Sequence, residues 1–470
     1  MTAEFCQQYV QECGGSQLAA GVIYPDFCDQ HTLPDGDPYY SYPYVEDERP
    51  DGAPAFPSVP ASAWPTNTMT VQFVPEAEDA SFFAGGRNGE IKLIVPEPFS
   101  ETTVVDISSI IYRAGSEDGL QSLALSPEFP TNKFFYVCYT INTGTEGVGY
   151  QLVLSRFTMM TSQMDTLNSE EILMQTTSDR EKSNGIHFGG WLGFRPSDYG
   201  AGKNYAGLIW TIGDGGPQTD QHNEGQNTMS LFGTIVKILV PSSPSGSGYR
   251  SPGSNPFKNQ PTVGRPEIYA WGFRNPFSCN FDRARNGFAL YCGDVGQTSV
   301  ETIKKVQRGR NYGWGQYEGS RCVVQNENDY GSCANNWPAN STIAAPWFEY
   351  CHTDYFSSGS EGGVAVSADL CPQGANTVRG GAAIGGVVYR GTRWEHGLAN
   401  KYVFADYQQG LLIRILRRGG KKVAEVIDSD LPKIIRFAQD NNGEVYVLTR
   451  KNNPLLAMPC GSACPDLDVV

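Results

Sequence analysis

A chain of 470 residues with a net charge of −15 and 12% aromatic residues can bury a large core, and its 53 glycines and 30 prolines favour tight turns over long helices. The acidic surface repels phosphate backbones and anionic bilayers, so no nucleic acid is expected as a partner; cations, neutral sugars and basic protein surfaces are favoured instead. No apolar run reaches the length of a membrane span.

Met1-Thr2-Ala3-Glu4 leads straight into a polar stretch with no signal-peptide pattern. In EFCQQYVQECG (4–14), Cys6, Val10 and Cys13 fall on one face of a short helix. Residues 1–28 are therefore expected to form a small cysteine-bearing helical appendage. Residues 29–66 carry eight prolines from Pro34 to Pro65 and are expected to run extended as a linker. Across 67–455 the texture changes. Short β-branched and aromatic runs such as MTVQFV, EIKLIV, KFFYVCYT, TIVKILV and EVYVLT alternate with turns, of which RNGE (87–90) and DNNGE (440–444) are hairpin signals. So many short strands imply a sandwich, barrel or propeller, and the length suits a propeller of several four-stranded blades. A tail at 456–470 holds Cys460 and Cys464.

The twelve cysteines are spread along the chain without paired CxxC clusters, which points to disulfides and a secreted protein rather than to zinc. Without a signal peptide, such a chain suggests a processed or truncated N-terminus. Asn340-Ser341-Thr342 is a glycosylation sequon if the chain is secreted. Of the five histidines, His31 lies in the linker, His222 in a polar loop, and His396 in a turn; His352 has too few partners for zinc. His187, in NGIHFGGWLGF (184–194), stands beside glycines that allow close approach, as a base, a metal ligand or a buried ring.

Several stretches together resemble the glucose/sorbosone dehydrogenase family: DGLQSLALSPEFPTNKFFYVCYT (118–140), HFGGWLGF (187–194), WTIGDGG (210–216), EIYAWGFRNPF (267–277), GDVGQTSVETI (293–303), RNYGWGQYEG (310–319) and YVFADYQQG (402–410). The resemblance runs in order over about residues 70–450 and implies a six-bladed β-propeller. Cys279, Cys292, Cys322 and Cys333 look like those of the hedgehog-interacting-protein-like subgroup, in which a frizzled- or folate-receptor-like module precedes the propeller; EFCQQYVQEC resembles the tail of such a module, so the chain looks like a fragment or a protein that has lost it. Cys279–Cys292 and Cys322–Cys333 are the disulfides this implies.

The family's dehydrogenases pass hydride from a sugar hydroxyl to pyrroloquinoline quinone. By the resemblance, His187 is the base, Asp214 the acid that orients it, and Arg274 and Asn275 contact cofactor and substrate. The remaining cradle departs from the pattern. Glu117 stands where the family has a neutral glutamine, Gln408 where it has a lysine, and the expected pair of arginines falls near Lys433 and Ile435, with Arg436 close by. A tricarboxylate would be poorly neutralised there. A calcium ion, if held, would take backbone carbonyls of Gly296 and Gln297, with Glu301 near; the oxygen-rich loop 213–227 is a second candidate. Two functions compete: an extracellular binding protein for a protein or saccharide ligand, and a quinone- and calcium-dependent sugar dehydrogenase.

Overall fold

The computed structural model describes residues 59–458 apart from 114, 143–149, 177–185, 201, 284–287, 323–342, 353–377, 419–420, 430 and 451–454. The helical appendage expected over 1–28, most of the linker, the sequon and the cysteines at 333, 460 and 464 lie outside the described residues.

The alternating runs form six sheets in chain order, the blades of a β-propeller, antiparallel except for one parallel pair at the edge of the fourth, with a separate two-stranded hairpin beside them among the described residues. Their innermost strands are Thr68–Phe73, Leu120–Leu125, Leu192–Phe194, Ser278–Phe281, Ala383–Val388 and Ile434–Gln439. Both hairpin signals hold: RNGE joins Phe82–Gly86 to Glu90–Val95, and the 440–444 turn joins Ile434–Gln439 to Val445–Thr449. Inner strands such as LQSLAL and IIRFAQ are buried along their whole length. A blade is covered on both faces by its neighbours, so the apolar run needs no polar alternation.

Six hydrophobic clusters, one at each junction between neighbouring blades, hold the ring together. At the first junction Phe83 packs on Phe129 and Phe135 at 5.3 and 5.9 Å, and Phe135 stacks on Phe157 at 5.4 Å. Each such pair contributes about 0.5–1.5 kcal/mol beyond its area. The sixth junction closes the circle: Phe73 meets Tyr446 at 5.3 Å, and Trp64 stacks on Phe82 at 5.4 Å. Val59, Ala63 and Trp64 belong to that closing cluster, so the end of the proline-rich segment is built into the propeller core.

Cys279 and Cys292 sit directly opposite each other on neighbouring strands of the fourth blade and form a disulfide. Cys138 is a buried free thiol whose pKa burial pushes up to about 12, which leaves it inert. Among the described residues no helix is long and apolar enough to cross a membrane.

Candidate active-site mouth

Each inner strand is entered from a loop at the same end of the ring, and the residues at those entries converge. His187 precedes the third blade's inner strand with its backbone in the left-handed region, φ 60°, followed by Gly189 and Gly190 at φ 64° and 82°. A side chain at Gly190 would strike Gln121, its Cβ falling 2.5 Å from Oε1. The HFGG turn therefore folds tightly against the second blade and aims the histidine inward. His187 is 5% exposed and Asp214 1%.

His187 Nδ1 lies 2.8 Å from Asp214 Oδ1, which also accepts the Gly216 N–H at 2.8 Å. Trp314 Nε1 donates to the other oxygen at 2.7 Å. Burial by itself would raise the Asp214 carboxyl, but the adjoining His187 ring, the Arg274 guanidinium and the Gly216 N–H more than offset it and hold the group below its usual value. An ionised carboxylate accepts only, so Nδ1 carries the proton of this bond, and Nε2 is the ring nitrogen left for a ligand.

Arg274 and Asn275 enter the fourth blade, their backbone N–H groups fixed on the Asp294 carboxylate at 3.1 and 2.7 Å. Asp294 is itself paired with Lys304. The Arg274 guanidinium lies 5.5 Å above the Trp314 ring, Nη1 donates to the Val295 carbonyl at 3.2 Å, and Nε is buried without a partner. Asn275 accepts the Gly189 N–H at 2.9 Å and donates to both Glu117 oxygens at 3.2 Å. Glu117 also accepts the backbone N–H groups of His187 and Phe188 at 2.8 and 3.3 Å. His187, Asp214, Arg274, Asn275 and Glu117 thus form one network drawn from three blades.

The other candidate residues stand apart. Gln408 is exposed, and its carbonyl takes the ammonium of Lys433, also exposed, which lies 5.2 Å above the Tyr407 ring. Arg436 is buried and faces the channel below the mouth: Nε, Nη1 and Nη2 donate to the carbonyls of Met69, Phe277 and Gln121 at 3.0, 3.1 and 3.1 Å. Burial lowers its pKa to about 10.

In the GDVGQ loop, one Glu318 oxygen accepts the N–H groups of Gln297, Thr298, Ser299 and Val300 between 2.8 and 3.1 Å. Glu301 is fully buried and directed inward, with one oxygen on the N–H groups of Gly296 and Ala383 at 3.1 and 2.8 Å and the other 3.2 Å from His352 Nε2. In the 213–227 loop, Asp220 closes a turn by accepting the Glu224 and Gly225 N–H groups at 2.7 and 2.9 Å. Among the described residues no three His, Cys, Asp or Glu side chains cluster as a metal would need. Sequence reasoning missed Trp314 and Glu318 as members of this region, although both lie in RNYGWGQYEG; a tryptophan and a glutamate between glycines carry no mark of whom they will bond.

The family model for Glucose / Sorbosone dehydrogenase matches residues 66–348. Among curated proteins, the HIPL1 protein of Arabidopsis thaliana is 25% identical over 413 residues, 74% of this chain and 54% of that one. Hedgehog-interacting protein of Mus musculus is 26% identical over 242 residues, 48% of this chain and 33% of that one. The chain spans about half the length of the first of these relatives and a third of the second. The apo-form crystal structure of the soluble aldose sugar dehydrogenase from Escherichia coli superposes with a TM-score of 0.61 at 18% identity, covering 83% of this chain and 95% of that one, and shares the fold.

Proposed function

The chain belongs to the glucose/sorbosone dehydrogenase family, and from that premise we propose that it is a secreted binding protein that takes a saccharide hydroxyl at the His187–Arg274 mouth. One observation carries this reading. His187 Nε2 is left for a ligand by the bond of Nδ1 to Asp214, and Arg274 Nε is a buried donor without a partner, both flanking Asp214. A hydroxyl both donates and accepts hydrogen bonds, so it suits the Nε2 position near the Arg274 guanidinium. The Cys279–Cys292 disulfide supports an oxidising, extracellular compartment.

Pyrroloquinoline quinone does not fit the residues present. A tricarboxylate needs cations on several sides, and this mouth supplies Arg274 alone in its network. Arg436 is turned to three carbonyls below, Lys433 and Gln408 stand exposed, and the Glu117 carboxylate brings a negative charge into the same network as Arg274. The calcium reading rests on main-chain oxygens of Gly296 and Gln297, because the Glu301 carboxylate is bonded inward.

The test is a calorimetric titration of the purified protein with neutral aldoses and oligosaccharides, beside a dye-reduction assay with quinone and calcium. Saccharide binding that weakens about 10-fold or more in His187→Ala, with no quinone-dependent dye reduction, is expected. Dye reduction that needs the quinone and disappears in His187→Ala would make the protein a sugar dehydrogenase. Absence of saccharide binding by the wild type would remove the binding reading.

A further inference from the structure

Strands that leave the His187 mouth end on the opposite face of the ring, and strands that return to the mouth begin there. On blades 4 and 5 that face collects cations, in a chain whose net charge is −15. Two stretches supply them: KKVQRGR (304–310) holds four and RILRRGGKK (414–422) five, with no acid in either. Lys304 and Arg414 are paired with Asp294 and Glu425. Lys305, near the end of the strand Val300–Val306, Arg308 just beyond it, and Arg417, near the end of Leu411–Arg418, are exposed.

The two groups of cations meet over one aromatic cluster. The rings of Tyr291, Trp347 and Tyr402 touch, with centroids 5.0 Å apart from Tyr291 to each of the others and 5.4 Å between those two. Lys305 Nζ lies 5.8 Å from the Tyr291 ring, and Lys422 Nζ lies 5.2 Å from the Trp347 ring while donating to the Trp347 carbonyl at 2.8 Å. Arg417 is the cross-strand partner of Lys422. Burial raises the Tyr291 hydroxyl above its usual 10.0, and Arg417 and Arg390 stand near enough to oppose the rise. The Asp282 carboxylate beside it takes Nε and Nη2 of Arg390 at 2.9 and 2.8 Å. Trp347 is half-buried and so keeps part of its surface in reach of a ligand. Like charges gathered in one place repel one another, and an anionic partner offsets that cost.

We propose that this face binds an acidic polysaccharide of the uronate type, its carboxylates met by Lys305, Arg308 and Arg417 and a sugar ring laid against Trp347. A uronate chain carries one charge on each sugar and leaves neutral ring faces between charges, which suits cations standing around an aromatic cluster. A polymer of higher charge density would be repelled more strongly by the acidic remainder of the molecule. The site lies on the face opposite the mouth and does not depend on the saccharide reading made there.

Polygalacturonate serves as the probe, with dextran as a neutral polysaccharide, polyglutamate as an acidic peptide and dextran sulfate as a denser anion. Calorimetry on the full chain is expected to show polygalacturonate binding that fades as salt is raised from about 50 to about 200 mM, and no response to dextran. The double variant Lys305→Ala with Arg417→Ala, at exposed positions, should weaken polygalacturonate by about 10-fold or more. Lys433→Ala also removes an exposed cation, but on the side of the mouth, and should leave the affinity unchanged. No binding by the wild type, an equal response to dextran, tighter binding of polyglutamate or dextran sulfate than of polygalacturonate, wild-type affinity in the double variant, or an equal loss in Lys433→Ala would each overturn the proposal.

Discussion

The mouth of the propeller has two unlike flanks. On blades 2 to 4, Glu117, His187, Asp214, Arg274 and Asn275 are tied to one another and to backbone amides. On blades 5 and 6, Gln408 and Lys433 stand in solvent and meet mainly each other. The first flank holds parts that move or position a proton. The second is where a large anion would need neutralising charge. Proton-handling geometry and anion-neutralising charge are separable in this fold, and here the first is kept without the second.

Exchanging two cations of blade 6, one buried in the channel and one exposed, gives the largest expected contrast. Arg436→Leu leaves three buried carbonyls, on Met69, Phe277 and Gln121, without their donors. At about 1–3 kcal/mol for each buried group left unsatisfied, the loss is on the order of 3 kcal/mol or more. Lys433→Ala, at an exposed position, should stay within about 0.5 kcal/mol of the wild type. Urea unfolding of the two variants measures the difference. Equal losses would mean that blade 6 is no more firmly joined by Arg436 than by its rim.

The buried acids of the two flanks sharpen the contrast with a smaller effect. Asp214 is held below its usual 3.8, after burial is outweighed by His187 and Arg274. Asp406, on blade 5, is pushed above 3.8 by burial and by the Glu301 carboxylate beside it, despite accepting N–H groups from Gly381, Ala382 and Gln409 and the Tyr350 hydroxyl. The signs are opposite. A lowered carboxyl contributes stability that is present above 3.8 and lost as pH falls through the folded value. A raised carboxyl makes the folded state bind more protons, so stability falls as pH rises from 3.8 toward its folded value. Melting temperature against pH should therefore lose part of its acid-side slope in Asp214→Asn and part of the opposing slope in Asp406→Asn. Parallel curves for both variants would show that the two flanks do not differ electrostatically.

The same division governs what the sequence disclosed. Strands and hairpins were legible because β-branched runs and an Asn-Gly turn act locally, and the propeller followed from their number together with the family resemblance. His187, Asp214, Arg274 and Asn275 sit in stretches whose neighbours constrain them, such as HFGG and FRNP, and the structure gathers all four. Glu117 carried no local sign that it would bond a histidine amide 70 residues on and an asparagine 158 residues on. Arg436 was visible only as a cation near the expected place; that it serves the channel rather than the rim depends on three carbonyls from three other blades. Trp314 was quoted within a motif, but its bond to Asp214 spans 100 residues. Contacts of that range are set by ring closure, which no local pattern encodes.

The smallest effect concerns the backbone of His187. At φ 60° a residue with a Cβ is strained, and such strain persists where the surroundings hold it in place. Here those surroundings are the Glu117 carboxylate on the His187 N–H and the Gly215 N–H on the His187 carbonyl at 3.1 Å. His187→Ala and His187→Gly both remove the ring and leave Asp214 with its Gly216 and Trp314 donors. They differ in the Cβ alone. In an ordinary extended or helical position alanine would be the more stable, since glycine gives up more chain entropy on folding. At this position the order should reverse, with His187→Gly more stable than His187→Ala by about 0.5–1 kcal/mol. Urea midpoints of the two variants decide it. If alanine proves the more stable, the left-handed turn is not held under strain, and the firmness ascribed to the blade 2–4 flank fails at its centre.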